Sequence, residues 1–210
     1  MHKNALHALL PAGLARKHRG NPAASLKLSQ LYGAPVMLSG VASLVLNETE
    51  LKIIDGHYLS TLQNLLRLHE RTPRSMVYMM AGSLPARGIL HQRQMTLFSM
   101  ICHLKDDPLH SHAEYVLLHL GKSCKSWFLQ VRAICLQYGL PHPLQLLKNP
   151  LPKQTLKNLV KTKVTDYWYH LLTAEATPMP SLKHFNSNKH SLSEPHPLWY
   201  AAGSSPHEVN

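Results

Sequence analysis

Apolar side chains recur in this chain at intervals of three and four residues, in segments that Gly and Pro cut short, and no alternating strand pattern is sustained. Side chains spaced in that way gather on one face of a helix, and helices with one apolar face must bury it against each other. The expectation is an all-α fold, an irregular multi-helix bundle with an extended, partly disordered C-terminal tail. The clearest helix begins at Asn47. Asn47 and Glu50 have the spacing of a capping box, and the early acids suit the helix dipole. Leu51, Ile54, Tyr58, Leu62 and Leu65 mark its apolar face through Leu68, widened by Leu59 and Leu66, while Ile53 and Asp55 fall off the stripe.

Other helix boundaries are written in the same chemistry. Asn21-Pro22 is a cap followed by a first-turn proline, and Leu26, Leu28, Leu31 and Tyr32 follow until Gly33 and Pro35 break the segment. Val36 to Leu46 is apolar and reads as a helix or a buried strand; periodicity does not decide between them. Thr72-Pro73 opens a short helix that Gly82 ends. Pro85 opens a longer one with Ile89, Leu90, Leu97, Ile101 and Leu104 on its apolar face. Asp106-Asp107-Pro108 is a break and a new start. Ser126 caps a helix carrying Trp127, Val131, Ile134, Cys135 and Tyr138, which Gly139 stops. Pro141 to Leu147 is one more short turn, and Lys153 to about Ala174 is the last strong helix. The organisation expected is therefore a flexible basic segment over 1–20, a helical region over 21–177, and a Pro/Ser/His-rich tail over 178–210.

At 210 residues and 44% hydrophobic, the chain is long enough to bury a core. Its charge is unusual: 22 Lys and Arg stand against 11 Asp and Glu, a net +11. The first 47 residues hold no acid at all, whereas Lys3, Arg16, Lys17, Arg19 and Lys27 are basic. Such an excess attracts polyanions, because phosphate contacts release condensed counterions, and it favours nucleic acid over an anionic membrane surface. Cys102, Cys124 and Cys135 are an odd number at unrelated spacings, which suits a reducing compartment better than a disulfide framework. No apolar run reaches the roughly 18 residues of a membrane span. Lys3 and Ala5 to Leu10 faintly resemble a presequence, but His7 and Pro11 interrupt them. An intracellular site, nuclear or cytoplasmic, is expected, with no membrane partner.

The motifs of catalysis and metal binding are missing from the sequence. Polymerases and nucleases hold divalent metal with clustered carboxylates, and the adjacent acids Asp106-Asp107 read instead as a helix break with an N-cap. Zinc wants paired Cys or His at short spacing, twice over; Cys124 and Cys135 are eleven apart, and His110 with His112 lack a second pair. No nucleophile elbow, zinc-protease helix or phosphate-cradling glycine loop occurs. No catalytic residue, metal, cofactor or small-molecule substrate is expected. The basic segments remain. Lys153, Lys157 and Lys161 recur one turn apart with Lys163 close by, bordering an apolar arc of Val160, Val164, Trp168 and Leu171. They either drape their stems over the core or rim a groove and reach phosphates. Lys122 and Lys125 on a loop, and Arg16, Lys17 and Arg19 near the N-terminus, are weaker clusters. Trp127, Trp168, Tyr167 and Tyr169 are candidates for base stacking, with burial the favoured account of both tryptophans.

Several strings taken in order resemble the region that follows the reverse-transcriptase palm in non-LTR (LINE-type) retrotransposon polyproteins. They are Asn21-Pro22 with Leu31-Tyr32 and Pro35 to Gly40; Leu68 to Pro73; Met79 to Pro85; Leu90 to Phe98; and Ser126-Trp127-Phe128. Tyr138 to Leu144, Val164 to Trp168, Ser181 to Phe185 and Pro195 to Trp199 complete the series, which covers roughly residues 11–208. The resemblance implies a thumb-like or linker region that helps hold template RNA or a primer–template hybrid beside the polymerase core of its parent polyprotein. Such a fragment would lack the catalytic palm and be no enzyme alone. One departure is that the family pattern after Pro35 often reads Tyr-Gly-x-Glu, where this chain has Ser39-Gly40-Val41-Ala42. The competing expectation is a relic or domesticated helical protein-interaction module with no nucleic-acid role.

Overall fold

A computed structural model of the chain describes residues 22–120, 124–179, 192–197 and 199. Among the described residues every regular element is helical, as the apolar spacing requires: α1 (Pro22–Leu28), a π-helical turn (Ser29–Gly33), α2 (Ala34–Met37), a 3₁₀ turn (Val41–Ser43), α3 (Glu48–Leu66), α4 (Arg74–Ala81), α5 (Ala86–Cys102), α6 (Pro108–His119), α7 (Trp127–Tyr138), α8 (Pro143–Lys148) and α9 (Lys153–Ala176). The chain divides into two compact units. Of the described residues, the first takes in those up to Ser39, Lys52–Ala86, and those from Trp168 onward; the second takes in Gly40–Leu51 and those between Arg87 and Tyr167. The expected segment 1–20 and the cap residue Asn21 lie outside the described residues.

In the first unit, Gly33 and Pro35 do not end the opening helix. The turn widens at Ser29–Gly33, with the Ala34 N–H reaching back to the Ser29 carbonyl, and the chain continues helically to Met37. A π turn takes up one extra residue, which lets a helix pass a proline that has no N–H to give. The buried side is built from small residues and two leucines: Ala23, Ser25, Leu26, Ser29, Ala34 and Leu38. Leu31 (66% exposed), Tyr32 (56%) and Val36 (54%) face solvent instead. Beyond Met37 the apolar run is neither a longer helix nor a strand, because Gly40 turns at φ +75 and only the short 3₁₀ turn follows.

The end of α4 is fully hydrogen-bonded. Gly82 sits in the left-handed region at φ +58, and its N–H bonds the Met79 carbonyl while the Ser83 N–H bonds that of Tyr78. That is a Schellman closure, the task for which a glycine is needed. The next carbonyl, Met80, accepts from the backbone N–H of His196 at 3.1 Å and from the Trp199 indole at 3.0 Å. Those of Ala81 and Gly82 accept from the Gln30 side chain at 3.3 and 3.4 Å. All the carbonyls a helix end would leave without partners are thus occupied. The tail therefore returns to this unit near residues 192–199, where Leu192 is buried.

Asp55, off the apolar stripe of α3, is the polar counterpart of that closure. Its Oδ1 accepts from the first N–H of α5, Ala86, at 2.9 Å and from the Tyr78 hydroxyl at 3.1 Å; its Oδ2 lies 3.6 Å from the Arg74 guanidinium. Arg74 in turn lies over the rings of Tyr78 and Trp168. Tyr58 shares a 2.7 Å hydrogen bond with the Ser83 hydroxyl. Burial pushes both phenols up, so Tyr58 and Tyr78 stay protonated.

In the second unit, the expected capping box forms: the Asn47 N–H donates to the Glu50 carboxylate at 2.8 Å, and the Glu50 N–H donates to the Asn47 side chain at 2.9 Å. Ala42, Leu51 and Leu90 make a small core there with Val41, Leu46 and Leu97 against it. Asp107 caps α6, accepting from the Leu109 N–H at 2.8 Å, so the adjacent acids do act as break and cap. α6, α7 and α8 pack pairwise. The buried face of α5 is turned from the expected one. Leu90 is buried as expected, but its companions are His91, Gln94, Met95, Phe98, Ser99 and Cys102, while Ile89, Leu97 and Ile101 are half-buried and Leu104 is exposed. A histidine can occupy this face because it is neutral there: its Nδ1 and the Tyr138 hydroxyl share a 2.8 Å hydrogen bond, and burial, with Arg87 second, holds its pKa down at about 4.

Candidate nucleic-acid interface

Residues four apart on an α-helix drift by only about 40° per step, so a helix of moderate length can be read as four slowly turning rows. In α9 one row is buried throughout: Leu156, Val160 and Val164 in the second unit, then Trp168, Leu172 and Ala176 in the first. The strict four-residue step puts Leu172 in this row and leaves Leu171, expected there, half-buried on a flank. Lys153, Lys157 and Lys161 form the row on one flank and are all exposed. Successive members lie about 6 Å apart along the axis. Lys163 belongs to the other flank, with Thr155 and Leu159, so it does not extend the lysine row but mirrors it. The row opposite the core is Gln154, Asn158, Thr162 and Asp166, each exposed.

Two features of this face escaped the reading of lysines alone. Gln154 and Asn158, one turn apart, are joined by a 2.9 Å hydrogen bond from the Gln154 amide nitrogen to the Asn158 oxygen. Their four-residue spacing was the available signal. The second is a lack of acids: from residue 115 to 165 the sequence contains no Asp or Glu, but holds Lys122, Lys125, Arg132, Lys148, Lys153, Lys157, Lys161 and Lys163. No nearby carboxylate in sequence neutralises the row. The ion pairs Arg74 with Asp55 and Arg87 with Glu48 do not draw on these lysines.

The remaining candidates divide. Lys125 is exposed beside Ser126 at the start of α7. Lys122, Arg16, Lys17 and Arg19 lie outside the described residues. Trp168 is 4% exposed and belongs to the core, and the half-buried Trp127 donates its indole N–H to the Ala42 carbonyl at 2.8 Å. Tyr167 is 37% exposed, with its ring edge-on to Tyr138. Among the described residues no three His, Cys, Asp or Glu side chains are grouped to hold a metal ion. Nor is any helix among them long and apolar enough to cross a membrane. Cys102 and Cys135 are buried, with thiols pushed up to about 12 by desolvation. What the α9 face can do chemically is hold a chain of phosphates, with amides beside it that can donate and accept. Comparison of the chain with protein-family models, with curated proteins and with solved structures found no match.

Proposed function

We propose that this chain is a non-catalytic nucleic-acid-binding segment of a retrotransposon reverse-transcriptase polyprotein, a thumb-like or linker region that helps hold template RNA or a primer–template hybrid near the polymerase core. The observation that carries the binding role is the exposed row Lys153, Lys157 and Lys161 in the first half of α9, at the end of a 51-residue stretch, 115 to 165, that contains no acid; Asp166 and Glu175 lie further along the same helix. Neither of the ion pairs Arg74–Asp55 and Arg87–Glu48 among the described residues involves these three ammonium groups, and each phosphate they meet releases a counterion. The ordered strings from Asn21 to Trp199 support the retroelement origin.

The test is fluorescence anisotropy with a labelled RNA strand and a labelled RNA–DNA hybrid over a range of salt. Affinity should fall linearly on a log–log plot, and replacing Lys153, Lys157 and Lys161 by Ala should flatten the slope by about 2 for a single strand. Salt-independent binding, or a triple variant with an unchanged slope, refutes the proposal.

The second reading, a helical protein-interaction module, draws on the solvent-facing apolar residues Leu31, Tyr32 and Val36 of the opening helix. It predicts that replacing these three by Ser abolishes association with a protein partner while the lysine variant leaves it intact.

A further inference from the structure

The solvent side of α9 between Lys153 and Lys163 carries an uncharged polar row with cations on both sides of it, three on one flank and one on the other. Gln154, Asn158 and Thr162 run down the row that points directly away from the core; Lys153, Lys157 and Lys161 line one flank and Lys163 the other. A helix with its side chains is about 10–12 Å across, which matches the roughly 12 Å width of the B-DNA major groove. A helix lying in that groove presents its central row to base edges and its two flanks to the two phosphate walls. Cations belong on the flanks and hydrogen-bonding amides in the middle. That is the distribution found here.

We infer that α9 docks as a helix in the major groove of B-form double-stranded DNA, with Lys153, Lys157, Lys161 and Lys163 on the phosphates and the Gln154–Asn158 pair on base edges. The inference rests on the nucleic-acid reading above and adds duplex DNA to it as a ligand. The amide pair narrows the base. The Gln154 nitrogen already donates to the Asn158 oxygen, which leaves the Gln154 oxygen as an acceptor and the Asn158 nitrogen as a donor, side by side. Adenine offers the complement in the major groove, an N6 amino donor next to the N7 acceptor. An A-form duplex hides those edges in a deep, narrow groove that a helix does not enter. The footprint has a defined end, because Asp166 continues the central row and would bring a like charge into the groove between the two phosphate walls.

The experiment uses the full chain with three labelled probes of equal length: an A·T-rich DNA duplex, a G·C-rich DNA duplex, and an RNA duplex of the A·U-rich sequence. The expected result is tightest binding to A·T-rich DNA, at least about fivefold over G·C-rich DNA. In the Gln154→Ala/Asn158→Ala variant that preference should disappear while the salt slope stays the same. In Lys157→Ala the slope should fall by about 0.9 on every DNA duplex while the preference remains. Asp166→Asn should tighten binding to DNA. Equal or stronger binding to the RNA duplex, or a base preference that survives the double amide variant, overturns this inference and leaves the general binding role standing. Absence of salt-dependent binding both to these three duplexes and to the single-stranded RNA and hybrid probes of the preceding test overturns both. All the substituted side chains are exposed, and an unchanged helical circular-dichroism spectrum checks that each variant folds.

Discussion

Replacing Gly82 by Ala tests the closure at the end of α4 more sharply than any other single change, because Gly139 supplies its control. Both glycines end a helix in the left-handed region, Gly82 at φ +58 and Gly139 at φ +61. A Cβ in that conformation costs roughly 1–2 kcal/mol at either site. At Gly139 nothing lies within 4 Å of the added carbon, so the conformational cost is the whole effect. At Gly82 the added carbon would lie 1.8 Å from the Glu194 carbonyl oxygen and 2.5 Å from the Pro195 nitrogen. Those are backbone atoms, so residues 192–199 must move away. The Met80 carbonyl then loses its bonds from His196 and Trp199, at about 1 kcal/mol each, and Leu192 loses burial worth roughly another 1.5 kcal/mol. Gly82→Ala should therefore cost about 3.5 kcal/mol more than Gly139→Ala. Urea denaturation followed by circular dichroism measures both. The cycle with Trp199→Phe adds a coupling: once the indole bond is gone, the excess at Gly82 should shrink by about 1 kcal/mol. Equal destabilisation by the two glycine variants, with no coupling to Trp199, would refute the docking of the tail on this helix end.

Other expectations follow from the same packing. Asp55→Ala removes the partners of the Ala86 N–H, the Tyr78 hydroxyl and Arg74, and should cost about 2–4 kcal/mol in the same assay; Asp55→Asn keeps an acceptor and should cost under about half of that. Asn47→Ala opens the capping box and should lower stability by about 1 kcal/mol. His91 has a folded pKa of about 4, below the 6.5 of an unfolded chain, so the unfolded state binds the extra proton as pH falls. Stability should be fully present above pH 6.5 and drop by about 2 kcal/mol on reaching pH 5, and His91→Gln should flatten that part of the profile. Against a thiol reagent at pH 8, the exposed Cys124 should react in the native protein, and Cys102 and Cys135 only after unfolding.

Much of the helical layout was legible because its signals are local. The Asn47–Glu50 box, the Asp107 cap and the stops at Gly82 and Gly139 each depend on a few neighbouring residues, and each forms. Readings that depend on distant partners fared differently. Nothing near Asp55 in sequence says that Ala86 and Tyr78 will meet it, so its departure from the apolar stripe carries no local signal of a role. The face of α5 was misjudged because His91 and Gln94 were counted as polar, whereas Tyr138 makes a buried imidazole tolerable. Gly33 and Pro35 read as a break because a π turn has no sequence signature at that scale. At the candidate interface the lysine row was visible from spacing alone. Its division from Lys163 depended on placing the core row at Leu156, Val160, Val164, Trp168 and Leu172, which exposure settles and periodicity left one residue out of register.

The strings that suggest a retroelement origin and the lysines that suggest nucleic-acid binding do not overlap. Met79 to Pro85 is the closure of α4, Leu90 to Phe98 supplies the buried face of α5, Tyr138 and Leu140 are core residues, and Pro195 to Trp199 contributes the bonds to Met80. These are mainly packing positions. Lys125, Lys153, Lys157, Lys161 and Lys163 fall in none of the strings and stand exposed. Origin and binding are therefore separate claims. A protein that keeps the packing positions and has lost its lysines would still have this fold and no reason to meet a phosphate. Conversely, the α9 face would attract a polyanion on any helix that buried Leu156, Val160 and Val164, because the attraction follows from where the ammonium groups lie and not from ancestry. A failed salt titration would remove the binding role without touching the resemblance, and a palm coding sequence absent from the DNA upstream would weaken the resemblance without touching the binding role.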